Sequence, residues 1–201
     1  MDPYGKQELL GFYSRHLEHF GDTPQAVRWS SAGQRSRFEA LLNLAGPLGD
    51  GNVLDFGCGK GDFYGFLVEK GIETDYCGAD VNPGLIGLAR RKHPAAEFLL
   101  RDIEEEGMPR TFDVIVICGV FNLRIAGIAD TMKAVLRILF AACRRSLHLN
   151  VPSTRSPWKD SDIFYADPGE LLEFARRELS RESVVREDIL PGELFLSAVR
   201  V

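Results

Sequence analysis

Four acids, Asp55, Asp62, Asp80 and Asp102, fall at or just beyond the ends of apolar runs, and three glycines lie between the first two in "VLDFGCGKGDF". A strand that turns into a helix leaves unpaired backbone N–H groups at the positive end of the helix dipole, and glycine lets a ligand come close to them. The spacing expects the amides from Cys58 to Gly61 to face such a ligand. Gly57, Gly59 and Gly61 form G-x-G-x-G; Asp62 follows directly, so the stretch is not G-x-G-x-x-G, and no Gly-Lys-Ser/Thr closes a phosphate loop. Carboxylates at Asp55 and Asp62 would repel a phosphate and suit a ligand with an amino or sulfonium end. Asp80, 21 residues after Gly59, stands where a carboxylate accepts both hydroxyls of a ribose. Asp102 closes "FLLRD", where it can accept from an adenine amino group while Ile103 covers the ring. Glu104–Glu106 reads as a solvated acidic turn.

The elements that must hold these residues follow from periodicity. Leu9, Leu10, Phe12, Tyr13, Leu17 and Phe20 recur at helical spacing over residues 5–20. A second helix is expected from about Gln34 to Ala45. Then come a strand at Val53–Phe56, a helix at Asp62–Lys70, a strand at Tyr76–Ala79 and a helix from Pro83 to Lys92. Phe98–Leu100 and Phe112–Cys118 are further strands. A long helix carries Ile128, Met132, Val135, Leu136, Leu139, Phe140 and Cys143 on one stripe, before a fifth strand at Ser146–Val151. This alternation implies a doubly wound α/β sheet with helices on both faces. After a helix at Pro168–Leu179, "SVVREDIL" and "ELFLSAVRV" are separated only by Pro191 and Gly192, too little chain for a crossover, so they should pair antiparallel.

The 201 residues suit one domain or a domain with a small appendage, and a net charge of −5 gives no reason to expect nucleic acid as a partner. Cys58, Cys77, Cys118 and Cys143 are too scattered for a disulfide framework or a zinc site, and no metal is expected. With no leader-like start and no long apolar run, the expectation is a cytoplasmic chain with no membrane contact.

"VLDFGCGKGDF", "YCGADVNPGLIGLARRK", "FLLRDIEE", "FDVIVICGVFN" and the terminal hairpin, in this order, resemble the class I S-adenosylmethionine-dependent methyltransferases from about Val53 to Val201. The resemblance implies a Rossmann-like, seven-stranded mixed sheet in the order 3-2-1-4-5-7-6, with strand 7 antiparallel. It implies S-adenosyl-L-methionine as cofactor and S-adenosyl-L-homocysteine as product. Asp55 and the Gly57–Gly61 loop would serve the methionine moiety, Asp80 the ribose, and Asp102 with Ile103 the adenine. Cys118, Gly119 and Asn122 would border the transferred methyl; Phe63 and Val81 complete the implied cofactor set. The N-terminal stretch resembles the leader of a bacterial subgroup of unassigned substrate. Residues 1–50 are thus expected as a helical segment or lid packed on a methyltransferase domain of residues 51–201. Lys60 stands where an apolar residue is usual in that subgroup, and Gly192 where an aromatic is.

Acceptor classes narrow by elimination. Strand 4 is followed by "CGVFN", not by the N-P-P-Y/F or D-P-P-Y/F of amino-methylating nucleic-acid enzymes, and no Pro-Cys dipeptide offers the nucleophile of pyrimidine carbon methylation. A small-molecule acceptor, methylated on oxygen or nitrogen, is the reading that remains. Two alternatives stay open from sequence: a catalytically silent cofactor-binding partner subunit, and a nicotinamide-dependent oxidoreductase. No catalytic base is assigned. His148 reads as a buried strand residue, Tyr13 and Trp29 as either lid or core, and the sequence gives no oligomeric state.

Overall fold

A computed structural model describes residues 1–49 and 51–200. Asp50, where the sequence reading ends the N-terminal segment, and Val201, the last residue of its final strand, lie outside the described residues. The elements, in chain order, are α1 (Pro3–Phe20), a short 3-10 helix (Pro24–Val27), α2 (Ser31–Ala45), β1 (Asn52–Phe56), α3 (Asp62–Glu69), β2 (Asp75–Asp80), α4 (Pro83–Lys92), β3 (Glu97–Leu100) and α5 (Ile103–Glu106). There follow β4 (Phe112–Cys118), α6 (Ile128–Ala141), β5 (Cys143–Pro152), α7 (Pro168–Glu178), β6 (Val184–Arg186) and β7 (Glu193–Val199). The seven strands form one sheet ordered β3-β2-β1-β4-β5-β7-β6, with β7 antiparallel to both its neighbours.

Central strands buried on both faces must be apolar at every position, and β4 shows how the sequence meets this demand. Val114 and Val116 point into a core shared with Phe38, Leu41, Phe63, Phe66 and Ile86, from the helices of one face. Ile115 and Ile117 point the other way, towards Met132, Val135, Leu136, Leu139 and Phe174. Alternate residues of one strand therefore serve two separate cores.

Several boundaries depart from the sequence reading. Cys143 does not continue the α6 stripe; it opens β5, which begins three residues before the expected Ser146. Ala142 is the only residue between helix and strand, and no Gly or Pro marks the change. The second helix begins at Ser31 because the Ser30 hydroxyl accepts from the Gly33 amide and caps it. The terminal strands do pair antiparallel, but β6 keeps only Val184–Arg186, so residues 187–192 make the connection. The acidic turn is a one-turn helix, α5, capped by Asp102.

Candidate active site

Strand order reverses between β1 and β4, so the crevice beyond their carboxyl ends is the natural ligand position of such a sheet. A cavity of about 160 Å³ opens there. Its walls include every residue of the expected cofactor set except Gly61 and Asn122.

The glycine loop has a different use from the one its sequence suggests. Gly57 and Cys58 both donate to the Ala79 carbonyl, at 2.7 and 3.1 Å, and Gly61 donates to the Cys58 carbonyl at 3.0 Å. Gly59 donates to Asp80 Oδ2 at 2.9 Å. Three of these amides brace the loop against β2 and that of Gly61 closes a turn within it, so the expectation that the amides from Cys58 to Gly61 face a ligand is corrected for Cys58, Gly59 and Gly61. All three glycines take positive φ, and a Cβ at Gly57 would overlap the Val120 side chain. Their smallness folds the loop tightly enough to leave a cavity beside it.

The acids divide into two kinds. Asp55, 2 % exposed, accepts from the Tyr76 hydroxyl at 2.6 Å. Burial pushes its carboxyl up to about 7, against the Tyr76 hydrogen bond, with help from the Asp80 and Asp62 charges. Asp80 accepts from the amides of Gly59 and Asn82, at 2.9 and 2.8 Å, and burial raises it above the usual carboxylate range. Two acceptor positions on each oxygen leave it lone pairs to give a ligand.

Asp62 and Asp102 are already matched by cations. Asp62 binds the Lys60 ammonium at 2.6 and 2.7 Å, Lys92 at 3.0 Å and the Gln34 amide at 3.0 Å. Burial would raise its pKa, but the two ammoniums outweigh it and hold the group low. Asp22 joins the cluster through Lys60 and Lys92, so two acids meet two bases and the charge cancels. This explains a lysine only 3 % exposed where an apolar residue is usual, and it removes Asp62 as a source of negative potential. Asp102 pairs with Lys6 of α1 and caps α5 through the Glu104 amide. Here too burial is outweighed, and Lys6 keeps the carboxyl below its ordinary range.

Residues before β1 complete the cavity. Met1, Lys6, Leu9, Leu10, Tyr13, Val27, Trp29, Gln34 and Phe38 all line it, as do Thr131 and Val135 of α6. Burial pushes the Tyr13 hydroxyl up to about 12, aided by the Asp80 charge. Asn82 fastens the segment further: its amide donates to Ser14 Oγ at 3.2 Å while its oxygen caps α4. His148, by contrast, is buried in β5 with Nδ1 2.9 Å from Ser197 Oγ, and burial pushes it down to about 4.

A second cavity, of about 230 Å³, adjoins the first. The two share Tyr13, Val27, Trp29 and Gly119. A Cβ at Gly119 would overlap Trp29 Cζ2, so only glycine lets the indole lie against the β4 exit. Asn122 lines this second cavity and not the first. Arg28, Arg37, Trp158, Tyr165 and Glu193 line it as well, and sequence reasoning assigned none of them. Gly192, in place of an aromatic, has Ser156 packed against it, whose Oγ would lie 2.7 Å from a Cβ there, with Trp158 Cε3 at 3.7 Å. Among the described residues no cluster of His, Cys, Asp or Glu could hold a metal ion, and no helix is long and apolar enough to cross a membrane.

Sheet order, reversed last strand and cleft position define a Rossmann-like methyltransferase architecture, and the comparisons give the same class. Residues 53–141 match the family described as "Methyltransferase domain". The chain is 31% identical over 159 residues to a Mycobacterium tuberculosis protein named "Putative methyltransferase Rv1506c", covering 74% of this chain and 90% of that one. The magnesium protoporphyrin IX methyltransferase of Synechocystis PCC 6803, solved with bound S-adenosylmethionine, superposes with a TM-score of 0.70 at 16% identity, covering 100% of this chain and 98% of the other. The Burkholderia thailandensis 1,6-didemethyltoxoflavin-N1-methyltransferase, solved with that molecule and S-adenosylhomocysteine, gives 0.66 at 18% identity, covering 100% and 91%. The chain belongs to the class I S-adenosylmethionine-dependent methyltransferases and is an enzyme of that class.

Proposed function

We propose that the chain moves the methyl group of S-adenosylmethionine to an oxygen or nitrogen of a small-molecule acceptor, with the cofactor in the first cavity and the acceptor in the second. The observation that carries this reading is the shared boundary: two cavities of different lining meet at Trp29 and Gly119, just beyond β4. Asp80, with lone pairs to spare, suits the ribose hydroxyls. Asp55 suits the methionine ammonium. Ile103 and Val81 supply apolar cover for the adenine, with Asp102 at its edge, while Cys58, Phe63, Cys118 and the glycine loop give the remaining close walls. Asn122 belongs in this reading to the acceptor side.

Bound S-adenosylmethionine supplies an electrophilic methyl on a sulfonium, and its departure as a neutral thioether needs no acid. What the chain must add is alignment and the exclusion of water. The segment before β1 does the excluding. Lys6–Asp102, Gln34–Asp62 and Ser14–Asn82 tie it across the crevice, which supports reading the segment before β1 as a lid on the methyltransferase domain. Each cavity is smaller than the ~300 Å³ at which ordinary ligand sites begin, and this lid is the part that makes room. Tyr13, held well above neutral, is no base at physiological pH.

Calorimetry with S-adenosylhomocysteine and, separately, NADH tests the cofactor side. Micromolar affinity for the first and none for the second is expected; the reverse would refute the reading.

A further inference from the structure

The second cavity holds an imbalance that the rest of the fold does not share. Five buried side-chain polar atoms among the described residues have no hydrogen-bond partner, and three belong to residues lining this cavity: Arg28 Nη1, Arg37 Nε and Asn122 Oδ1. Buried polar groups are almost always paired, so three such atoms around one cavity set it apart from the rest of the fold. The two arginines differ. Both Nη groups of Arg37 are spent, one donating to the Gly33 carbonyl and one paired with Glu193, and its guanidinium lies over the Trp29 ring at 4.2 Å, which leaves Nε alone unpaired. Glu193 in turn takes the Asn150 amide at 2.8 Å. Arg28 lies over the Phe12 ring at 5.6 Å, and its one carboxylate partner is Asp160, which is 53% exposed and 3.4 Å away, a weak and solvent-screened partner.

The backbone fixes the position of Arg28. Arg28, at φ 62° and ψ 33°, is the one non-glycine residue with positive φ among those described. This left-handed turn ends the short 3-10 helix, where the Arg28 amide donates to the Gln25 and Pro24 carbonyls, and it fixes where the arginine leaves the backbone beside the second cavity. The charged residues of the wall are Arg28, Arg37 and Glu193, leaving one net positive charge. That suits a single carboxylate better than a doubly charged phosphate, and a guanidinium edge matches a carboxylate in shape. Trp29, Trp158 and Tyr165 offer flat apolar walls. Asn122 Nδ2 would lie 3.2 Å from a Cβ at Gly119, so this amide stands at the border of the two cavities.

We infer that the acceptor is an aromatic carboxylic acid bearing a hydroxyl or amino group, with its carboxylate on Arg28 and its nucleophilic end at Asn122. This rests on the acceptor occupying the second cavity. It is tested on protein saturated with S-adenosylhomocysteine, using 4-hydroxybenzoate and 4-hydroxybenzamide as matched probes in saturation-transfer NMR titrations. The acid should bind at least tenfold tighter than the amide. Arg28→Gln should abolish that preference while leaving S-adenosylhomocysteine affinity unchanged. Asp160→Asn, which removes the competing carboxylate, should strengthen acid binding two- to fivefold, an effect misfolding does not imitate. Equal affinity for the two probes, binding of neither, or a preference that survives Arg28→Gln overturns the inference. Loss of S-adenosylhomocysteine binding by the unmodified chain would instead strike the cofactor reading beneath it.

Discussion

The two cavities meet at one tryptophan yet are built by opposite means. The first takes its walls largely from runs of residues at strand ends, Asp55 to Lys60 with Asp62 and Phe63, Asp80 to Asn82, Arg101 to Glu104 and Cys118 to Phe121, and it is rich in acids. The second gathers Arg28, Arg37, Asn122, Tyr165 and Glu193 from segments far apart in the chain, and its net charge is positive. A site that grips a constant ligand can be fixed by the turns of the sheet itself, whereas a site for a variable ligand is assembled from what the fold brings near. The contrast also separates what each cavity asks of its residues: in the first, two buried carboxylates, Asp55 and Asp80, pushed above their ordinary pKa, and in the second, two arginine donors and one amide acceptor left unpaired.

The largest effect should come from breaking the loop that shapes the first cavity. Gly57→Ala places a Cβ into Val120 at a backbone angle unfavourable to alanine, and should cost about 3 kcal/mol or more of stability, measured by chemical denaturation. Next, Asp80→Ala removes the acceptor of Gly59 and the proposed ribose contact; S-adenosylhomocysteine affinity should fall by roughly 1.5–3 kcal/mol. Unchanged affinity would reduce Asp80 to a loop brace. Lys60→Met leaves Asp22 and Asp62 with Lys92 alone, and should cost about 1–3 kcal/mol of stability without touching the second cavity's probe affinities.

A smaller but sharper comparison lies in pH. The folded chain holds Asp55 at about 7 against an ordinary 3.8, so between these values the native state carries a proton the unfolded one lacks, and stability falls as pH rises. His148, pushed down to about 4 from 6.5, does the opposite: the unfolded state carries the extra proton, and stability rises with pH over that window. The two slopes oppose each other between about 4 and 6.5. Asp55→Asn should therefore expose a rising limb in denaturation curves over that range; a flat profile of the variant would contradict the burial account of His148, and a slope unchanged from the parent chain that of Asp55. If Asp55 meets the ligand's ammonium, binding at pH 6 should also release protons, seen as a dependence of calorimetric heat on buffer ionisation enthalpy.

Much of the fold was legible because its signals are local. The alternation of short apolar runs with helical stripes gave the order of elements, and β4, apolar at successive positions, could only be a central strand. The misses have physical causes. Cys143 fits the helical stripe and the strand equally, with no breaker at Ala142 to decide. The four residues of α5 are fewer than periodicity can detect, and half-exposed Val185 in an edge strand gives little to bound β6. In the first cavity the acids and glycines were visible by type and spacing. Their partners were not: that Ala79 consumes two loop amides, or that Lys6 reaches Asp102 across 96 residues, depends on tertiary contact. Of the second cavity the sequence showed only scattered parts, Tyr13, Trp29, Gly119, Asn122 and Gly192, since no spacing links Arg28 to Tyr165 and Glu193.

The central claim is that the acid-lined crevice holds the cofactor with its reactive end turned towards Trp29 and Gly119. A crystal structure of the chain with S-adenosylhomocysteine tests it most directly. The account requires the ribose hydroxyls on Asp80 and the sulfur facing the shared wall of the two cavities. A nucleoside seated elsewhere, or an Asp80 carboxylate turned away from it, would contradict the account.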